Sequence, residues 1–154
     1  MTLFLVGCGA EKPKVKSAMF QSVNSQDATL VQSGEGRGSC CICGMNLVKY
    51  YKTSHTAQKD DKYFQYCSIH CLEEHLGEGI TLKNPKVVDV ESLKLISVAE
   101  VFYVVGSKIR GTMTRVSKYA FKDEKMAKKF QAKYGGEITD FNGALKKAKE
   151  DFRY

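Results

Sequence analysis

The sequence predicts an α+β body of two small ββαβ units packed as a pseudo-repeat, preceded by a flexible N-terminal tether. Three observations carry the prediction. In each half, paired runs rich in β-branched and aromatic residues stand ahead of a stretch with helical periodicity. The order strand, strand, helix, strand then occurs twice, which is the pattern of an internal repeat. Residues 9–38, by contrast, are polar, rich in Ser, Gln, Lys and Gly, and lack sustained periodicity, as a linker does. At 154 residues, 43% apolar and 27% charged, the chain has an ordinary globular composition and is long enough to bury a core.

The elements follow in order. The first unit spans residues 39–92. Val48, Tyr50, Tyr51, Thr53 and Thr56 mark a strand from Asn46 to Ala57. Lys59-Asp60-Asp61-Lys62 is the turn, and Tyr63-Phe64-Gln65-Tyr66 returns as its partner. Ser68 caps a helix through Leu72 and Leu76 that ends at Gly77 or Gly79, with Glu73 and Glu74 in its early turns. Val87-Val88-Asp89-Val90 closes the unit as a strand.

The second unit spans residues 93–154. Leu93 to Val105 reads as strand, with a break near Ala99-Glu100, and Thr112 to Val116 resumes an extended run after a Gly106–Gly111 turn region. Asp123 starts a strongly periodic helix through Met126, Ala127, Phe130 and Tyr134, stopped by Gly135-Gly136. Glu137-Ile138-Thr139 is a short strand, and Asp140 or Asn142 opens a closing helix through Ala144, Leu145 and Ala148.

The chemistry is concentrated in sulfur. Cys40-Cys41-Ile42-Cys43-Gly44-Met45 places three thiols and a thioether within six residues, and Cys67-Ser68-Ile69-His70-Cys71 follows. Thiolate and thioether donors select Cu(I) over harder cations. On an extended segment Cys43 and Met45 point to the same side and can serve one ion. Met113 is the best third donor, because it lies in a polar Gly111-Thr112-Met113-Thr114 turn where a core methionine is less expected. Cys40-x-x-Cys43 with Cys67-x-x-x-Cys71 is also the arithmetic of a four-cysteine Zn(II) site. We assign Cys43 to copper and leave Cys40, Cys41, Cys67 and Cys71 as an auxiliary metal site or a disulfide. His55 could add a nitrogen to copper from the first strand, although a surface position suits it better. His70 and His75 read as helix residues able to replace a cysteine at the auxiliary metal.

The formal charge of +7 is spread along the chain without an RNP motif, a helix-turn-helix or an Arg-rich run, so nucleic acid is not expected as a partner. A basic face does suit anionic headgroups. Leu5-Val6-Gly7-Cys8 resembles a bacterial lipobox, which makes residues 1–8 the remnant of a lipoprotein signal ending at a lipidated Cys8. Residues 9–38 then form the tether.

Cys43-Gly44-Met45, Val87-Val88-Asp89, Tyr103-Val104-Val105-Gly106-Ser107, Thr112-Met113-Thr114, Ala120-Phe121, Ala127 with Phe130, and Tyr134-Gly135-Gly136-Glu137-Ile138 occur in the order seen in the NosL family. The resemblance covers about residues 39 to 145. It implies a Cu(I) chaperone, not an enzyme, anchored on the periplasmic side of a bacterial membrane. Its partners would be a copper-accepting membrane transporter complex and, through it, nitrous oxide reductase, in whose maturation for denitrification the family assists. The methionine matching Met113 is implicated in copper binding in the family. Two other classes compete: a structural zinc module that binds protein partners, and a thiol enzyme of redox or organomercurial-lyase type. A redox Cys-x-x-Cys pair normally opens a helix, whereas Gly44-Met45-Asn46 leads into strand-like sequence.

Overall fold

The computed structural model describes residues 19–151. A hairpin of β1 (His55–Lys59) and β2 (Lys62–Tyr66) turns tightly at Asp60-Asp61, with Lys59 facing Lys62 and Asp60 in the left-handed region at φ 52°. Ser68 stands at the N-cap of α1 (Ile69–Gly77), which leads to β3 (Lys83–Val88). β3 pairs antiparallel with β1, and β4 (Leu95–Ser97) pairs antiparallel with β3, giving the order β2-β1-β3-β4. β5 (Phe102–Val105) and β6 (Lys118–Phe121) form the next antiparallel pair, followed by α2 (Glu124–Tyr134) and β7 (Glu137–Thr139). That sheet has the order β6-β5-β7, and α3 (Phe141–Asp151) closes the chain.

Both units thus place their first strand in the centre, flanked by their second and third, and the predicted α+β pseudo-repeat is what the chain forms. Local signals account for the helices. Asp123 accepts a hydrogen bond from Lys125 N–H at the head of α2, and Gly135, at φ 76°, donates to Gln131 O at its end. Asp140 accepts from Gly143 N–H at the start of α3. The two units share one core in which Ile69, Val87, Tyr103, Ala120, Ala144 and Ala148 interdigitate. α3 reaches back across it to pack on α1.

Several segments differ from expectation. The run from Leu93 to Val105 divides: β4 joins the first sheet, a single 3-10 turn spans Val98–Glu100, and only β5 enters the second sheet. Thr112 to Val116 is irregular, and β6 starts at Lys118. Asn46 makes only an isolated bridge to Ser39, and residues 47–50 are turn rather than strand. β3 begins before its apolar run and contains Pro85, where the β1–β3 register shifts between Thr56 and Gln58. A bulge accommodates the proline's missing N–H.

Residues 19–38, part of the stretch read as tether, lie along the body. Phe20 meets Tyr119 edge-on at 5.1 Å, and Gln21 is buried. Further on, Gln65 Nε2 donates to Thr29 O and Gln65 Oε1 accepts from Val31 N–H. The lipobox and residues 9–18 fall outside the described residues.

Candidate metal centre

The first cysteine cluster is a tight backbone knuckle. Cys40 N–H donates to Met45 O (2.8 Å), Gly44 N–H to Cys40 O (2.9 Å), and Leu47 N–H to Gly38 O (2.9 Å). Gly44 takes φ 78°, a conformation glycine adopts without strain. The period-two argument for Cys43 and Met45 therefore does not apply, because residues 41–43 are turn. Cys41 N–H donates to Gln65 O (3.1 Å), fastening the knuckle to β2. Cys67 follows the end of β2, and Cys71 is the third residue of α1.

This arrangement brings Cys40, Cys43, Cys67 and Cys71 together, with all four Sγ atoms within 4.8 Å of one another. Cys43 Sγ lies 3.5 Å and Cys71 Sγ 3.8 Å from Cys67 Sγ. A tetrahedral ion with metal–sulfur bonds of about 2.3 Å needs sulfurs about 3.8 Å apart, so the four thiols could close on one ion with small movements. Cys40, Cys67 and Cys71 are buried and Cys43 is exposed, so the cluster has one open corner.

The structure therefore draws the line between the cysteines differently from the sequence reading. Cys43 joins Cys40, Cys67 and Cys71 rather than standing apart from them, and Cys41 lies outside the group. The five described cysteines are all free thiols.

The cluster is electrostatically prepared for a cation. Hydrogen bonds from Cys67 and then Cys71 hold the Cys40 thiol far below its ordinary value. Cys67 and Cys71 are pushed up, each first by its hydrogen bond to Cys40. The three buried thiols thus share their protons unequally, Cys40 being the easiest of them to ionise. Desolvation of the Cys41 sulfur, and next the Cys40 charge, push the Cys41 thiol up to about 12.

The thioethers extend the sulfur outward. Met45 Sδ is 4.0 Å from Cys67 Sγ, and Met45 lines a cleft of about 650 Å³ that also contains Met113. The Met113 loop is tied to the cysteines through hydroxyls: Thr112 Oγ1 lies 2.7 Å from Thr53 Oγ1, which donates to Cys67 O (2.8 Å).

The histidines are structural. His55 is buried between the two sheets, with Nδ1 3.0 Å from Thr53 O and Nε2 3.0 Å from Tyr103 Oη. It is neither a surface residue nor a member of the sulfur cluster. His75 Nδ1 meets Tyr66 Oη at 2.7 Å, and His70 Nε2 lies 3.1 Å from the buried Lys118 ammonium. The sequence reading missed Met19, which lines the same cleft as Met45 and Met113. Its one signal was a large apolar side chain in a polar stretch.

Fold and site together define a small α+β protein with a four-cysteine cluster that could hold a metal ion, bordered by thioethers. The profile of the NosL family matches residues 32–147, and the chain belongs to that family. The copper chaperone NosL from Shewanella denitrificans has a crystal structure similar to this one, with a TM-score of 0.56 at 22% identity. The match covers 74% of this chain and 96% of that one, and it speaks to the fold. A search of curated proteins finds no match.

Proposed function

We propose that the chain is a Cu(I) carrier held by a lipid at Cys8 outside the cytoplasm, passing copper to a membrane transporter complex for assembly of nitrous oxide reductase. One observation carries the reading: sulfur runs without interruption from the exposed Cys43 through Cys67 to Met45, and Met45 opens on the cleft that holds Met113. Copper would sit on Cys43, Met45 and Met113, at the open side of the cluster. Thiolate with thioether is a donor set for Cu(I), and an exposed thiol lets an acceptor's ligand replace it. Family membership and the Leu5-Val6-Gly7-Cys8 segment support the destination and the anchor.

Anaerobic purification followed by metal analysis and Cu(I) competition tests this. One tightly held Cu(I) per chain is expected, lost in Cys43→Ser and weakened in Met45→Leu and Met113→Leu. Unchanged copper binding in both methionine variants overturns it.

A second reading has its own observation. The sulfur separations of 3.5 and 3.8 Å match the edge of a zinc tetrathiolate, so a structural Zn(II) on Cys40, Cys43, Cys67 and Cys71 would fit with little rearrangement. Stoichiometric zinc that Cu(I) fails to displace from Cys43 would favour it over the carrier.

A further inference from the structure

The large apolar side chains exposed among the described residues are Met19 (40%), Tyr63 (48%) and Met113 (39%). Two of the three are methionines, and both line the cleft that Met45 also borders.

Neither position is accidental. Met19 is fixed by its neighbours Phe20, Gln21 and Ser22. Gln21, buried, donates from Nε2 to Arg110 O (3.0 Å) and Gly111 O (3.2 Å), stitching this segment to the loop that carries Met113. Ser22 N–H and Oγ both bond Met19 O at 3.0 Å, and Phe20 is wedged against Tyr119 and Phe130. Met113 takes φ 71°, a left-handed conformation unusual for a long side chain and strained where it is sustained. Its loop is held in place by Gly111, where a Cβ would come within 2.8 Å of Ser117 Cα. Strain and anchoring together present this methionine to the cleft.

We propose that Met19, Met45 and Met113 form a thioether site for Cu(I) at the mouth of the cleft, from which the ion passes by way of Met45 to the thiols. This rests on the carrier reading above and adds to it a donor from outside the cysteine-bearing unit and a route. Three neutral sulfurs suit a soft monovalent ion and hold Zn(II) poorly. The cleft lining contains no carboxylate to attract hard divalent cations, and Arg110 and Arg115 stand among it. Those two positive charges disfavour a bare cation and favour copper arriving as an anionic thiolate complex. Met45 is the common member, lying on the cleft and 4.0 Å from Cys67 Sγ.

The chain has five methionines, so labelling their methyl groups with carbon-13 gives a readout at every one. The full chain is titrated with Cu(I) anaerobically, and the resonances are assigned by single Met→Leu variants. Met19, Met45 and Met113 are expected to shift together, while Met126, packed against the aromatic core of the second unit, stays in place. Met19→Leu should weaken Cu(I) retention about tenfold in chelator competition with an unchanged circular dichroism spectrum. If Met45 and Met113 shift and Met19 does not, the three-thioether site is wrong and the carrier reading stands. If copper is retained and no methionine shifts, the ion lies wholly among the cysteines and the site is again wrong. If no copper is retained, the carrier reading itself fails.

Discussion

His55 couples the first sheet to the second, and its burial makes the protein's stability depend on pH in a calculable way. Its Nδ1 faces a backbone carbonyl and its Nε2 faces the Tyr103 hydroxyl, which satisfies a neutral ring with the proton on Nδ1. Burial lowers its pKa from 6.5 to about 4, only partly opposed by the hydrogen bond to Thr53. The unfolded chain accepts a proton that the folded chain refuses, so the stabilisation is complete above about pH 6.5 and drains away as the pH falls toward 4. The full difference is worth about 3 kcal/mol, of which about 2 kcal/mol is gone at about pH 4.5. His55→Gln keeps a polar group and removes the titration. Urea denaturation followed by circular dichroism at about pH 7 and about pH 4.5, with chelator present, should show the wild type losing about 2 kcal/mol more than the variant. Every other ionisable group is common to the two proteins. Equal losses in the two proteins would refute the assignment of a buried neutral ring.

Metal loading should release protons, and affinity should fall as pH falls, because thiols must ionise to bind. Calorimetry in buffers of different ionisation heat should count fewer protons for Cu(I) held by one thiol and two thioethers than for Zn(II) held by four thiols. Three or more protons for Cu(I) would place it in the cluster instead. Lys118 is buried with Asp151 Oδ2 at 2.5 Å and Val116 O at 2.8 Å, so Asp151→Asn removes the ammonium's charge partner and should cost about 3 kcal/mol, measured by denaturation. Lys118→Met, which removes the charge along with the need for a partner, should cost less. Gly136 sits at φ 98°, and a Cβ there would meet Val105 O at 2.8 Å, so Gly136→Ala should destabilise by about 1–3 kcal/mol and lower the melting temperature.

What was readable in the sequence was local. α2 announced itself through Asp123, the 3–4 residue spacing of Met126, Ala127, Phe130 and Tyr134, and the glycine pair, and each signal acts within a few residues of itself. The β1–β2 hairpin was equally plain, because its turn lies between its strands. β3 was read short because Asn84-Pro85 is ordinarily a breaker, and only pairing to β1 and β4 on either side lets the strand run through it. β4 is three residues long, and its sheet is decided by β3, so no periodicity could place it.

The candidate site shows the same limit. Residue spacing named every cysteine of the cluster, but it set Cys43 apart for copper and kept the four-cysteine set only as an alternative, because the neighbours of Cys43 are chosen by the knuckle's attachment to β2 through Cys41 N–H and Gln65 O. Met19 was invisible for a related reason: Gln21 acts across 89 and 90 residues of sequence to hold it beside Met113.

Gln65 has a consequence beyond packing. Its backbone carbonyl receives the knuckle, its backbone N–H donates to Gln32 Oε1, and its side chain grips Thr29 and Val31. The strand end beside the cysteines and the incoming N-terminal segment are therefore clasped by one residue, and that segment enters the described body at the rim of the methionine cleft. Loosening Gln65 would therefore release residues 29–32 and disturb the cysteine-bearing side in one stroke.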